Sequence, residues 1–315
     1  MTSNAFEWSW RQFDELDDGA GGLFGTWRRR CKFMVRSLWL ADFHRTNHAV
    51  LHLYAPRLAA RDPWSTSRVI RPYLRRGLSV RGRMRAVAEH YAWMWAQVRR
   101  SVCEALYEGD AIELWGGLEA ARLVLRAAGP QGREGELAID LLWRGERVLS
   151  CAFSVVEASI AAGAAVPHDG PACVVGAIQG GRNALTALRE LGHAGHRLQP
   201  TALMVAAVQG LAGGWGIGTV LVVARAAHVY SSYRSNRRRV GLDYDLLWQL
   251  AHARPHSAHY WRLPVTPELR SEAEVASRRR AQHRRRCALR LAVFDAVRDA
   301  TAALIKVPAP VRARG

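Results

Sequence analysis

Two hydrophobic periods divide the chain. Up to about residue 110 the apolar positions recur at helical spacing. Residues 23–43 set Phe33, Leu38 and Leu40 among Arg28, Arg29, Arg30, Lys32 and Arg36, which predicts a helix with a basic side. Ser79 can cap a second helix reaching about Val98, because Met84, Val87, Ala88, Tyr91 and Trp95 fall on one face. From Leu118 the period changes to two. Residues 121–127, 136–143 and 147–156 read as strands, the last two joined by a turn at Arg144-Gly145-Glu146. In the third strand Val148, Ser150, Ala152 and Ser154 alternate with Leu149, Cys151, Phe153 and Val155. After a small-residue connection (158–170), the apolar run 172–179 predicts a buried strand that breaks at Gly180-Gly181. There follow a helix over 183–191, a helix from Pro200, a strand over 219–223, a helix over 244–251 and a strand over 260–263. Thr266-Pro267-Glu268 opens a long helix to about Ile305, with Ala288, Leu291, Ala292 and Val297 as its packed stripe.

These elements predict an α+β fold. A helical N-terminal region (1–115) packs on a mixed β-sheet core (116–265); a long basic C-terminal helix (266–305) closes it, ahead of a flexible tail (306–315). No internal repeat is present. Residues 198–224 carry no charge, a length that exceeds the roughly 20 residues of a spanning helix. Gln199, Pro200, Gln209 and five glycines interrupt it, so a buried helix, a turn at Gly213-Gly214-Trp215-Gly216 and a buried strand are expected instead of a membrane span.

Composition narrows the class. A chain of 315 residues, 49% hydrophobic and 23% charged, can bury a sizeable core, which excludes a disordered, collagen-like or disulfide-miniprotein chain. The net charge is +18, and Lys32 and Lys306 are the only lysines among 45 basic residues. Arginine forks match phosphates and carboxylates bidentately, so one reading is an anionic partner: nucleic acid, an anionic lipid surface or a phosphate-bearing small molecule. The other reading is GC-rich coding, which yields Arg, Ala and Gly in place of Lys. Cys31, Cys103, Cys151, Cys173 and Cys287 are scattered and form no CxxC, as expected of reduced thiols in a cytoplasmic protein. The acidic start (Glu7, Asp14, Glu15, Asp17, Asp18) is not expected to act as a secretory signal.

Several chemistries find no motif. Neither lysine precedes Ser or Thr, which excludes a Walker A loop, and GxGxxG, GxSxG and HExxH are absent. His44, His48 and His52 share a helix face at metal-ligand spacing, but incidental histidines on a partly exposed helix are the plainer reading, and no metal is expected. His252, His256 and His259 surround Pro255 and read as loop residues.

Three constellations remain. Gln179, Gly180, Gly181, Arg182 and Asn183 end a buried strand ahead of a helix, where backbone amides and a guanidinium can meet an anion; a tight turn is the alternative. Beyond the strand 219–223 lie His228, Tyr230, Tyr233, Arg234, Arg237, Arg238, Arg239, Asp243, Tyr244 and Trp248. His228 suits a general acid or base, Tyr230 and Asp243 are its candidate partners, and Arg237 and Arg238 suit a phosphate. Tyr244 and Trp248, at i and i+4, equally suit plain packing, with Asp243 as a cap. Finally Arg278, Arg279, Arg280, Arg284, Arg285, Arg286 and Arg290 form an acid-free run that suits a polyanion or a solvated face.

The blocks EGELAIDLLWRGERVLSCAFSVVE (134–157), VGAIQGGR (175–182), LQPTALMVAAVQGLAGGWGIGTVLVVARAAHVY (198–230), LDYDLLWQL (242–250) and SRRRAQHRRRCALRLAVFDAV (277–297) resemble the VirK/YbjX family of bacterial proteins. The resemblance runs from about Trp27 to Val297, with His283, Cys287 and Arg225 departing from the family pattern. It implies a cytoplasmic bacterial protein linked to virulence, envelope stress or antimicrobial-peptide resistance, and it implies no reaction. The order of elements is also similar to the core of GNAT-type acyltransferases, an analogy of fold. In that family amides after the fourth strand hold the pyrophosphate of acyl-CoA, and residues 179–183 would be the counterpart. No Q/R-x-x-G-x-G/A follows them here. The expected function is thus a strand-end pocket for an anionic ligand, with acyl-CoA-dependent transfer as its chemistry. The alternative is a non-enzymatic arginine-rich polyanion binder.

Overall fold

The structure, a computed structural model, describes residues 23–157, 170–181, 184–232 and 242–306. The chain opens with helices α1 (Leu23–Trp39), α2 (Ala41–Tyr54), α3 (Pro56–Arg61), α4 (Val80–Gln97) and α5 (Arg100–Glu108), with a 3-10 segment at Pro63–Ile70. The Ser79 hydroxyl accepts a hydrogen bond from the Gly82 amide at 3.1 Å, the cap expected from the sequence. The helix expected over 23–43 breaks at Leu40, and α2 is the partly exposed helix that carries His44, His48 and His52; its buried positions are His44, Asn47 and Leu51.

Eight strands follow in one sheet: β1 (Ile112–Leu118), β2 (Ala121–Ala127), β3 (Leu137–Trp143), β4 (Glu146–Glu157), β5 (Pro171–Gly180), β6 (Thr219–Val223), β7 (Arg254–Pro255) and β8 (Tyr260–Leu263). Their order is β1-β2-β3-β4-β5-β6-β8-β7. Strands β1 to β5 form an antiparallel meander; β6 lies parallel to β5, because helices α6 (Leu185–Ala194) and α7 (Pro200–Gly214) carry the chain back between them. The fold class is therefore α+β with a mixed sheet. Strand β1 escapes the sequence pattern because Gly116-Gly117 and two register shifts interrupt its alternation.

The two sheet faces differ in chemistry. Leu137, Ile139, Leu141 and Trp143 of β3 and Phe153 of β4 look toward α6 and α7, where Trp143 Nε1 donates to Glu190 at 2.9 Å and Phe153 packs on Trp215. The opposite face carries Asp140 of β3, with Glu136 just ahead of that strand, beside Ser150 and Ser154 of β4, and the helical layer covers part of it.

Helix α7 is buried along Leu203–Ala212, so the uncharged stretch is a core helix and a core strand. Among the described residues no helix is long and apolar enough to cross a membrane. Outside α7 lies α9 (Ser277–Ala302), after a short α8 (Tyr244–Leu250). The two long helices approach closely because of glycine. A Cβ on Gly210 would lie 2.5 Å from the Phe294 carbonyl oxygen, and one on Gly214 would lie 2.1 Å from Thr301 Oγ1 and 2.3 Å from the Arg298 carbonyl oxygen.

Two expectations for α9 need correction. The helix starts at Ser277 and not at Thr266. Gln209 Nε2 donates to the carbonyls of Pro264 (2.8 Å) and Thr266 (3.2 Å), which holds that stretch off the helical path. Its packed stripe is Val293, Phe294, Val297 and Thr301; Leu291 is 39% exposed, and Ala288 and Ala292 face outward with it. The glycine seat selects this face. The connection 158–169 and the tail 307–315 lie outside the described residues.

Replacing Gly214 by Ala should therefore cost about 1–3 kcal/mol, as forced overpacking does. Gly213 faces open contact, 3.7 Å from the Arg298 side chain, so its change to Ala should be neutral or stabilise by up to about 1 kcal/mol. Urea unfolding of the pair measures both; equal effects would refute the close seat.

Candidate functional site

The site begins with a strand that carries too many acids for its burial. Glu134, Glu136 and Asp140 alternate along one face of the β3 segment, and all three are buried. A buried carboxylate needs a cation or donors. Asp140 has Arg126, which reaches it through Nε (2.5 Å) and Nη2 (3.0 Å), and the Ser150 hydroxyl at 2.5 Å. Glu136 pairs with Arg68 and accepts from the Tyr91 hydroxyl at 2.8 Å. Glu134 has no such guanidinium. Its Oε1 accepts from Gln179 Nε2 at 2.5 Å and lies 3.5 Å from His228 Nε2.

Backbone geometry places Glu134 there. Strand β5 carries one extra residue, Gly176, opposite the Ala152–Phe153 step of β4. The chain entering β3 crosses directly over it: a Cβ on Gly176 would sit 2.0 Å from the Glu134 carbonyl oxygen. The same region is where the sheet opens. Strand β6 pairs with β5 only over Ala172–Val175, so residues 176–180 and the chain after Val223 part company. Helix α8 fills the opening with two aromatics one turn apart. The Tyr244 hydroxyl donates to the Ile178 carbonyl (2.8 Å), and Trp248 Nε1 donates to the Val223 carbonyl (3.0 Å).

His228 stands on the turn after β6, stacked on Tyr244 at 5.1 Å. Its Nδ1 accepts from the Tyr230 amide at 3.3 Å, so a neutral ring carries its proton on Nε2, toward Glu134. Burial, helped by the charge of Arg133, lowers the imidazole to about 4. Burial pushes Glu134 up to about 8, against the opposing pull of the Gln179 hydrogen bond and of Arg133. At neutral pH a protonated carboxyl and a neutral imidazole thus face each other. Glu134 Oε2 and His228 Nε2 are both buried without a hydrogen bond. Orphaned titratable groups with opposite shifts are candidates for a functional position.

The residues singled out from the sequence separate into groups. Gln179 and His228 meet Glu134, while the Tyr230 ring lies 5.7 Å from the His228 ring with Arg133 over it at 5.1 Å. Gly180 ends β5 opposite Leu149, and the Gly181 amide donates to the Val148 carbonyl at 2.9 Å, so the sheet takes up that amide. Asp243 does not join His228. It is exposed, caps α8 through the Leu246 amide at 3.3 Å and lies 3.6 Å from Arg225. Arg182, Asn183, Arg237 and Arg238 lie outside the described residues. On α9, Arg278, Arg279, Arg284 and Arg285 are exposed, with Arg284 paired to Glu272. Arg280 and Arg286 bend back to the carbonyls of Val275 (3.1 Å) and His196 (2.9 Å). His44 turns inward to Ser37, away from His48 and His52, so the three do not converge. Among the described residues no group of three metal-ligating side chains forms.

Sequence reading passed over Glu134. Its signal was the alternation of acids at 134, 136 and 140 in an otherwise apolar strand.

Fold and site define an α+β protein with a mixed eight-stranded sheet and a buried carboxyl–imidazole pair where two parallel strands part. The chain belongs to the DUF535 family, described as a protein family of unknown function, whose model matches residues 23–299. It is 25% identical over 295 residues to the uncharacterized protein YbjX of Escherichia coli, covering 82% of this chain and 80% of that one. An uncharacterized protein of Haemophilus influenzae is 24% identical over 232 residues, covering 73% of this chain and 75% of the relative. No solved structure matches.

The pair dictates a pH signature. The unfolded chain loses the Glu134 proton near the ordinary 4.5, the folded chain only near 8. Between these values the unfolded state binds fewer protons, so stability falls as pH rises. Below 6.5 His228 acts with opposite sign, since its unfolded ring gains a proton that the folded ring accepts only near 4. Glu134→Gln should remove the alkaline fall and leave the variant more stable than the parent near pH ~9 by a few kcal/mol at most. Urea titrations across this range decide it; an unaltered alkaline slope would refute the assignment.

Proposed function

We propose that the opening between β5 and β6 is the active centre of a transferase-type enzyme that takes an anionic activated donor, an acyl-CoA. The observation that carries this reading is the Glu134–His228 pair, buried and 3.5 Å apart at the point where the strands part. The strand order supports it: an antiparallel meander, a parallel pair joined through helices, then a returning β8, as in GNAT-type acyltransferases. In this reading Gln179, Arg182, Asn183, Arg237 and Arg238 hold the donor's phosphates and carbonyl. Ionised Glu134 takes the proton of an amine or hydroxyl acceptor as that atom bonds to the thioester carbon. The carbon–sulfur bond breaks, and the proton passes from Glu134 to the departing sulfur. His228 Nε2–H and the Gln179 amide hold the carboxylate in place. In this reading the activity belongs to a cytoplasmic protein linked to virulence or envelope stress, as the family resemblance implies.

A second reading rests on the exposed Arg278, Arg279, Arg284 and Arg285 of α9, which suit nucleic acid or an anionic membrane surface. Thermal melts with acetyl-CoA and with heparin separate the two. The first reading expects stabilisation by acetyl-CoA through mass action. It also expects Glu134→Gln to keep that shift while lowering acyl transfer by about 10²-fold or more. The transfer rate should climb with pH through about 8. A shift with heparin alone, lost at high salt, would refute it in favour of the second.

A further inference from the structure

Helix α1 turns large apolar side chains outward. On its inner side Phe33 and Met34 pack with Val69 and Ile70 of the 3-10 segment, in a small cluster apart from the main core. Its outer side carries Trp27 (64% exposed), Val35 (66%) and Trp39 (83%), with Leu38 beside them. At 3.6 residues per turn these four fall within about a third of the helix circumference. Single exposed apolar residues are ordinary on a protein surface. A row of them along one helix face, two of them tryptophans, marks a place of contact.

The charge beside this row has one sign. Helix α1 contains no acidic residue, and Lys32 and Arg36 are exposed along its flank. The next acid along the chain, Asp42, pairs with Arg45 at 2.8 Å. Trp39 also forms one wall of an open groove of about 580 Å3 between α1 and the start of α4. Leu40, Phe43 and Ile70 give the groove an apolar floor, and the exposed Arg36 and Arg81 give it a basic rim. Among the described residues no acid lines it. A groove that is apolar below and cationic above suits an amphiphile with an anionic head. Exposed tryptophans flanked by basic side chains suit the plane in which such amphiphiles assemble, where the rings settle at headgroup level and the basic stems reach the phosphates.

We propose that this face of α1, with the groove beside it, docks on the surface of an anionic lipid bilayer. Trp27, Val35, Leu38 and Trp39 enter the interface, Lys32, Arg36 and Arg81 meet lipid phosphates, and the groove receives part of an acyl chain. Charge complementarity selects the occupant: an acid-free basic and apolar face needs a partner that offers negative charge and oil together. The proposal is independent of the transferase reading. It places the membrane contact on α1, whereas the second reading rests on α9.

Flotation of the full chain with phosphatidylcholine vesicles, with and without phosphatidylglycerol, tests this. The parent should float with the anionic vesicles and far less with the neutral ones. Trp39→Ser should lower partitioning by about tenfold. Lys32→Gln and Arg36→Gln should each lower it by about fivefold, as for one basic residue at an anionic surface. Leu185→Ser, which removes an exposed apolar side chain from α6, should leave it unchanged. Circular dichroism checks that each variant is folded. A parent that stays behind, or a Trp39→Ser variant that floats like the parent, would overturn the proposal. An equal loss in an Arg278→Gln, Arg279→Gln double variant would move the contact to α9 and overturn it too. So would a dimer in sedimentation equilibrium that Trp39→Ser dissolves while no vesicle is bound, since the face then belongs to a second copy of the chain.

Discussion

A carboxylate removed from water must find a cation, find donors or take up a proton, and this protein buries three along β3 and the segment leading into it. Each of the three carboxyls shapes a different part of the molecule. Asp140 meets Arg126 within the sheet, tying β2 to β3. Glu136 meets Arg68 and Tyr91, which come from the helical layer, so the layer is held to the sheet by an ion pair that neither half can satisfy alone. Removing one partner of such a pair leaves a buried charge, at a cost of about 3–5 kcal/mol. Glu134 finds no guanidinium, only the Gln179 amide, and keeps its proton.

The third outcome makes sense only beside the fourth group at that spot. His228 is held neutral by the same desolvation that protonates Glu134. The site thus has opposite titration shifts in adjacent side chains, an arrangement that separates the roles of proton holder and proton donor. The opening between β5 and β6 provides the place, and the aromatic pair of α8 satisfies the strand carbonyls that the opening leaves behind.

What could be read from the residues follows a physical line. Local periodicity reveals β2, β3, β4, β5 and β6 and the Ser79-capped helix, since each depends on neighbours along the chain. Gln179 and His228 were also legible, because they stand just past apolar runs. Glu134 was not. That a residue before β3 reaches β5 depends on Gly176, some 40 positions later, and on a crossing that no local pattern announces. The same holds for α9. Its start depends on the Gln209 side chain, and its buried face on Gly210 and Gly214, all in another helix. Asp243 shows the reverse case: its position before a helix was enough to expect a cap, and capping is what it does.

The small and polar face of β3 and β4 bears also on states other than the native one. When the helical layer lifts away, the surface bared on these strands is Glu136, Asp140, Ser150 and Ser154 with Ala138 and Ala152 among them. Water receives those groups readily, and a freed Glu136 becomes an ordinary hydrated carboxylate. Proteins that open along an oily seam become adhesive when they do so. This seam is mixed: the polar groups of β3 and β4 lie beside the apolar core that Val87, Tyr91 and Met94 of the helical layer complete, so an excursion of the layer bares carboxylates and hydroxyls together with oil.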